Sequence, residues 1–148
     1  MTTSQIILLI IGILVLNVSI WFAISRWINR RIEIIKSKLL EEYCSGPVGF
    51  IIEPKSAIYR GADTRFGNIK GNGVICLTEK SLIFNKITGQ KIEIHQEEIK
   101  DAIVEESFKG MISLATGGKH LVIKTKDGNR VGFLVRDAEV WSEKIRAL

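Results

Sequence analysis

Gly73-Val74-Ile75-Cys76-Leu77-Thr78-Glu79-Lys80-Ser81-Leu82-Ile83-Phe84 sets two apolar runs on either side of a short polar turn. β-Branched and aromatic residues of this kind favour extended backbone, and Thr78-Glu79-Lys80 joins the runs closely enough to predict a hairpin. Similar short runs flank it. Upstream are Val48–Glu53 and Ala57–Gly61; downstream are Lys91–His95, Asp101–Phe108, His120–Lys126 and Arg130–Val135. Lys126-Asp127-Gly128-Asn129 carries the Asp-Gly pair that a tight hairpin places at positive φ, and Glu97-Glu98-Ile99 reads as a helical turn between strands. A strand about every 8 to 12 residues predicts a sandwich or barrel of antiparallel strands.

Helices bracket this region. At the C-terminus Asp137 is a candidate N-cap, Glu139 suits the first turn, and Lys144 and Arg146 suit the last. Val140, Trp141, Ile145 and Leu148 form its apolar face, with Trp141 the largest side chain available to plug a barrel end. At the N-terminus Ile6 to Ile24, IILLIIGILVLNVSIWFAI, carries no charge, and its only polar members are Asn17 and Ser19. At about 1.5 Å per residue it spans roughly 28 Å, the hydrocarbon thickness of a bilayer. A cleaved signal peptide would need basic residues before the run and a small-x-small site after it, and the sequence has neither. A retained transmembrane anchor over residues 1–25 is therefore expected.

Arg26 to Tyr43 continues without Gly or Pro, and Gly46-Pro47 ends the helical pattern. Ile28, Ile32, Ile35 and Leu39 recur at helical spacing. That stripe has three uses: packing on the following domain, lying at the headgroups, or pairing with a second copy to make a homo-oligomer through residues 26–45. Packing is the favoured one, since short helices need tertiary support.

Charge is concentrated beside the anchor. The segment 26–45 holds Arg26, Arg30, Arg31, Lys36 and Lys38, with Trp27 at interfacial position, while the rest of the chain is nearly balanced. These six residues are expected to contact the membrane surface. Basic residues at one end only predict an N-terminus outside and a cytoplasmic C-terminal domain in a single-pass cell-membrane protein. A near-neutral domain argues against nucleic acid as a partner. Cys44 and Cys76, without CxxC spacing, fit free thiols in a reducing compartment.

The Gly73–Phe84 hairpin, the Ile92, Ile94 and Ile99 pattern, and then Leu121-Val122-Ile123, Asp127-Gly128, Phe133 and a closing helix with Trp141 resemble GRAM-type and bacterial PH-like domains. The resemblance covers about residues 48–148 and implies a mostly-β PH-like barrel over residues 46–148, with two nearly orthogonal antiparallel sheets and a capping C-terminal helix. It also implies a binding function toward lipid headgroups, peptides or partner proteins, and fold alone does not select among them.

Signatures of catalysis are missing from the sequence. His95 and His120 each fall at a predicted strand end, where an exposed or hydrogen-bonded imidazole is expected. Glu97-Glu98 and Glu105-Glu106 alternate faces if extended, as solvated edges rather than acid pairs do. Gly117-Gly118-Lys119-His120 departs from a phosphate loop at two positions, Ser113 and His120, and the stretch Gly110–Gly118 reads as a flexible loop. No catalytic residue, cofactor or metal is expected. The expected function is a membrane-anchored cytoplasmic binding or scaffold module that holds a protein segment or a membrane component, and residues 46–148 alone should fold. The alternative is a sensor of phosphoinositide or other anionic headgroups through Lys55, Arg60, Arg65 and Lys70 on the first hairpin.

Overall fold

The computed structural model describes residues 2–44, 49–112 and 119–148. One unbroken helix, α1 (Thr3–Cys44), runs through both N-terminal segments, so the apolar run and the basic segment form a single rod. It is long and apolar enough to cross a membrane, and among the described residues nothing buries its most apolar stretch. The predicted stop at Gly46-Pro47 lies outside the described residues.

The remainder is mostly antiparallel β: β1 (Phe50–Ala62), β2 (Gly71–Thr78), β3 (Ser81–Lys86), β4 (Lys91–His95), β5 (Ile99–Glu105), β6 (Ser107–Phe108), β7 (Met111–Ile112), β8 (His120–Thr125) and β9 (Arg130–Val135), then α2 (Ala138–Arg146). A 3₁₀ turn at Gln96–Glu98 links β4 to β5, where the helical turn was expected. Seven strands make one sheet in the order β4-β3-β2-β1-β9-β8-β5, and β6 and β7 form a separate two-stranded hairpin.

Two expectations change here. The strands form one continuous hydrogen-bonded sheet, not two, because β1 pairs with β2 along one side and with β9 along the other. The sheet does not close on itself, since β4 and β5 remain its two edges. The two upstream runs, expected as separate strands, merge into the 13-residue β1, whose bulges near Ile52, Lys55 and Gly61 bend it without ending it. The run expected over Asp101–Phe108 instead breaks after Glu105, and Phe108 turns back in the β6–β7 hairpin.

Alternation along the strands creates two faces. The inner face buries Tyr59, Phe84 and Phe133, whose ring centroids lie 5.4–5.9 Å apart, together with Ile75, Leu77, Leu121 and Ile123. From α2, Trp141 and Ile145 enter this core. Val140 and Leu148, expected on the same face, are exposed, and buried Ser142 donates instead to the Ala102 carbonyl on edge strand β5 at 2.6 Å. Asp137 does occupy the N-cap, but with left-handed backbone (φ 59°) and no side-chain cap bond.

The outer face is covered in two places. Over β1–β3, the stripe from α1 meets Val74, Cys76 and Ile83, with Leu39 only 1% exposed and Ile32, Ile35 and Tyr43 beside it. The favoured use of that stripe is therefore realised, and its apolar positions are spent on the chain's own sheet. Over β8–β9, Phe108 of the β6–β7 hairpin lies on Gly132, where a Cβ would come within 2.3 Å of the ring.

Candidate functional site

The four hairpin cations, the anion ligands of the alternative reading, meet different surroundings. Arg65 donates to the Glu98 carboxylate, whose pKa this bond holds below the usual range, and its guanidinium lies over Phe66. Arg60 is half-buried on β1, with its Nε unpartnered and close enough to disfavour a positive His120. Lys70 and Lys55 are exposed, Lys70 just before β2 and Lys55 beside a groove against α1.

The loop between β1 and β2 is held by internal bonds. Tyr59 donates to the Gly67 carbonyl at 2.7 Å, and burial pushes its phenol up to about 12. Lys109 donates to the Ala62 carbonyl at 2.6 Å, and the Thr64 amide donates to Asn129. Lys86, which sequence reading passed over, is buried with its ammonium 4.6 Å from the Tyr59 ring, donating to the Ile69 carbonyl and Gln90 at 2.7 Å each. Burial lowers its pKa. These cations serve the fold, as buried or paired charges must.

A better-formed concavity lies where α1 leaves the anchor. A groove of about 530 Å³ runs between Ile28, Ile32 and Lys36 of α1 and the sheet's outer face. Its floor is the cross-strand row Asn72, Ile58 and Leu134, set by the pairing of Ile58 with both neighbours. Lys55 and Arg136 stand at its rim, both exposed, and among the described residues no acid lines it. Arg136 follows Val135, the partner of Ala57, which places it beside Ser56 and near Lys55. Lys36 is bonded to Glu33 at 2.9 Å. The volume is that of a small-ligand site, apolar within and basic at the rim.

Sequence reading named Lys55 and Lys36 but not their convergence, and it missed Arg136. A lone Arg after a strand carries no periodic signal. Ile28 lies four residues past Ile24, so the groove's near end sits roughly 6 Å beyond the apolar run. Arg26, Arg30, Arg31 and Lys38 are exposed around the same exit, and Arg31 lies 5.6 Å over the Trp27 ring.

The second cover hides polar groups. His120 pairs with Glu105 across β5–β8 and is fully buried, contrary to the expected exposed or bonded strand end. Among the described residues neither imidazole nitrogen completes a hydrogen bond, although the Glu105 and Glu106 main chain lies beside it; burial, then Arg60, lowers its pKa. Glu105, read as a solvated edge, accepts two bonds from Arg130 at 2.7 and 2.8 Å, and Arg130 lies over Phe108. Cys76, buried under α1, has its thiol pushed up to about 12 by desolvation, which makes it inert. Cys44 and the 113–118 part of the predicted flexible loop lie outside the described side chains. Among the described residues no three His, Cys, Asp or Glu converge as metal ligands do.

Fold and groove together define a mostly-β domain between a long N-terminal helix, apolar in its first half, and a C-terminal helix. No family model matches the chain, and no curated protein matches it. Among solved structures it is similar to the C-terminal domain of an unknown protein from Leishmania infantum, with a TM-score of 0.50 and 17% identity over 78% of this chain and 95% of that one. At that identity the likeness concerns the fold alone.

Proposed function

We propose that the chain is a single-pass membrane protein whose PH-like domain sits at the cytoplasmic surface and binds a membrane component or protein segment bearing negative charge in the groove beside α1. The strand order supports the PH-like reading. A four-strand meander (β4-β3-β2-β1) and a three-strand meander (β9-β8-β5) share β1, and α2 packs at β5 and β8, with the β6–β7 hairpin an insertion between them. The basic collar at the exit of α1 supports the cytoplasmic orientation.

The observation that carries the binding reading is the groove's placement. One wall is the membrane-exit helix and the other is the domain, with Lys55 and Arg136 unopposed by any lining acid. A ligand there is read against both at once. The test is a photo-cross-linking residue at Ile58 in the full-length protein in its native membrane. An adduct with lipid or a discrete protein, reduced by Lys55→Gln with Arg136→Gln, is the expected result. An adduct pattern unaffected by that pair, or none, removes the groove as the site. A C-terminal reporter accessible from the outside would overturn the orientation.

A further inference from the structure

The span carries one group that its own helix does not satisfy. Ser19 donates its single hydroxyl hydrogen to the Val15 carbonyl at 2.8 Å, which is all it has to give. Asn17 donates one N–H to the Ile13 carbonyl at 2.8 Å. Its second N–H and its carboxamide oxygen have no partner among the described residues. They face hydrocarbon, where no water substitutes.

Asn17 also stands at the centre of a seam. Ile6, Ile10, Ile13, Asn17, Ile20 and Ile24 follow one another at steps of four, three, four, three and four, a heptad interface with isoleucine at every position but one. At 100° per residue this seam points about 50° away from the Ile28–Leu39 stripe and lies N-terminal to it, and all five of its isoleucines are exposed. Isoleucine loses little rotamer freedom on packing, and a single polar residue at a core position fixes register.

We infer that the chain forms a parallel homodimer through this transmembrane seam, with the two Asn17 carboxamides bonded to each other across the interface. A second copy is the occupant because a carboxamide is both donor and acceptor. In a parallel pair, each Asn17 then meets its complement at the same depth, on a two-fold axis. The 3.5-residue period gives a left-handed crossing. The homo-oligomer thus uses the span, since the apolar stripe within residues 26–45 is occupied by the chain's own sheet.

This inference rests on α1 crossing a membrane, and the experiment separates the two. In full-length protein in bilayers, with Cys44→Ser and the buried Cys76 kept, one new cysteine at a time is placed at Ile13, Ile20 or, on the opposite side, Val15, and oxidised. Ile13→Cys and Ile20→Cys should give disulfide dimers, and Val15→Cys should give about tenfold less. Adding Asn17→Leu should cut the dimer yield several-fold, and Asn17→Gln should restore most of it. Equal cross-linking at Val15, an unchanged yield with Asn17→Leu, or cross-links to a different protein would each overturn the dimer. Release of the chain by alkaline carbonate would sink the anchor itself; a retained monomer would sink only the dimer.

Discussion

The two covers of the sheet's outer face differ in what they bury. Under α1 lie Val74, Cys76 and Ile83, with Leu39 fitted between them. At the β6–β7 hairpin Phe108 lies on Gly132, beside a buried imidazole at His120 that has no hydrogen-bond partner among the described residues and the partly exposed Glu105–Arg130 pair. The first is a dry hydrophobic seam, held by area. The second is a close contact over a glycine with polar groups beside it, held by fit. A seam held by area fails when its cover is removed, whereas a seam held by fit fails when one atom is added or one proton is bound.

The largest effect should come from removing the helical cover. Residues 46–148 alone, expected from sequence to fold, would expose Val74, Cys76, Ile83 and Phe50. Aggregation or loss of a cooperative transition in thermal denaturation is the expected outcome. Residues 28–148, which keep the stripe, should unfold cooperatively. If the two fragments behave alike, the helical cover is dispensable.

Within the intact chain, Leu39→Ala should destabilise the domain by about 2–5 kcal/mol in denaturant unfolding, as fully buried leucines do. Gly132→Ala tests the other cover: its Cβ would meet the Phe108 ring, and a cost of about 1–3 kcal/mol is expected. Adding Phe108→Leu should recover part of that cost, because the obstacle is the ring and not the sheet.

Protonation sharpens the contrast. His120 has a lowered pKa in the fold, so the unfolded chain binds the proton more tightly. Its contribution is fully present above the unfolded value of about 6.5 and is lost as pH falls from there through the lowered folded value. Stability measured by denaturant midpoint should therefore fall on acidification below that point. His120→Phe should flatten the slope, and a slope unchanged in that variant would assign it to other groups. Leu39→Ala should leave it intact.

The smallest effect belongs to a pair under neither cover. Arg146 donates to Asp101 at 2.9 Å, and that bond holds the Asp101 carboxyl below its usual range. Both side chains are more than a third exposed, so screening leaves Asp101→Asn costing less than about 1 kcal/mol.

Much of this was legible in the chain. The Gly73–Phe84 hairpin, the Arg130–Val135 strand and the buried Trp141 follow from local pattern, because alternation and turn chemistry act within a few residues. The Ile28–Leu39 stripe announced a packing face. What it packs on could not be read, because Val74, Cys76 and Ile83 look like any strand's second face. The same limit explains the cations. Arg65 beside Glu98, and Lys86 over Tyr59, are pairings between segments far apart in sequence, and each turns a cation into a strut. Arg136 joined Lys55 only through the β1–β9 register.

By itself the sequence determined the apolar span, the basic exit, the strand-rich domain and its closing helix, since each depends on composition or short-range periodicity. Tertiary structure alone decided that β1 unites the strands into one sheet, that the exit helix covers that sheet, and that His120 is buried. It also decided that the basic groove lies between helix and sheet. Each of these depends on which surfaces meet after long loops close, and hydrophobic burial, being non-directional, leaves that choice to the fold as a whole.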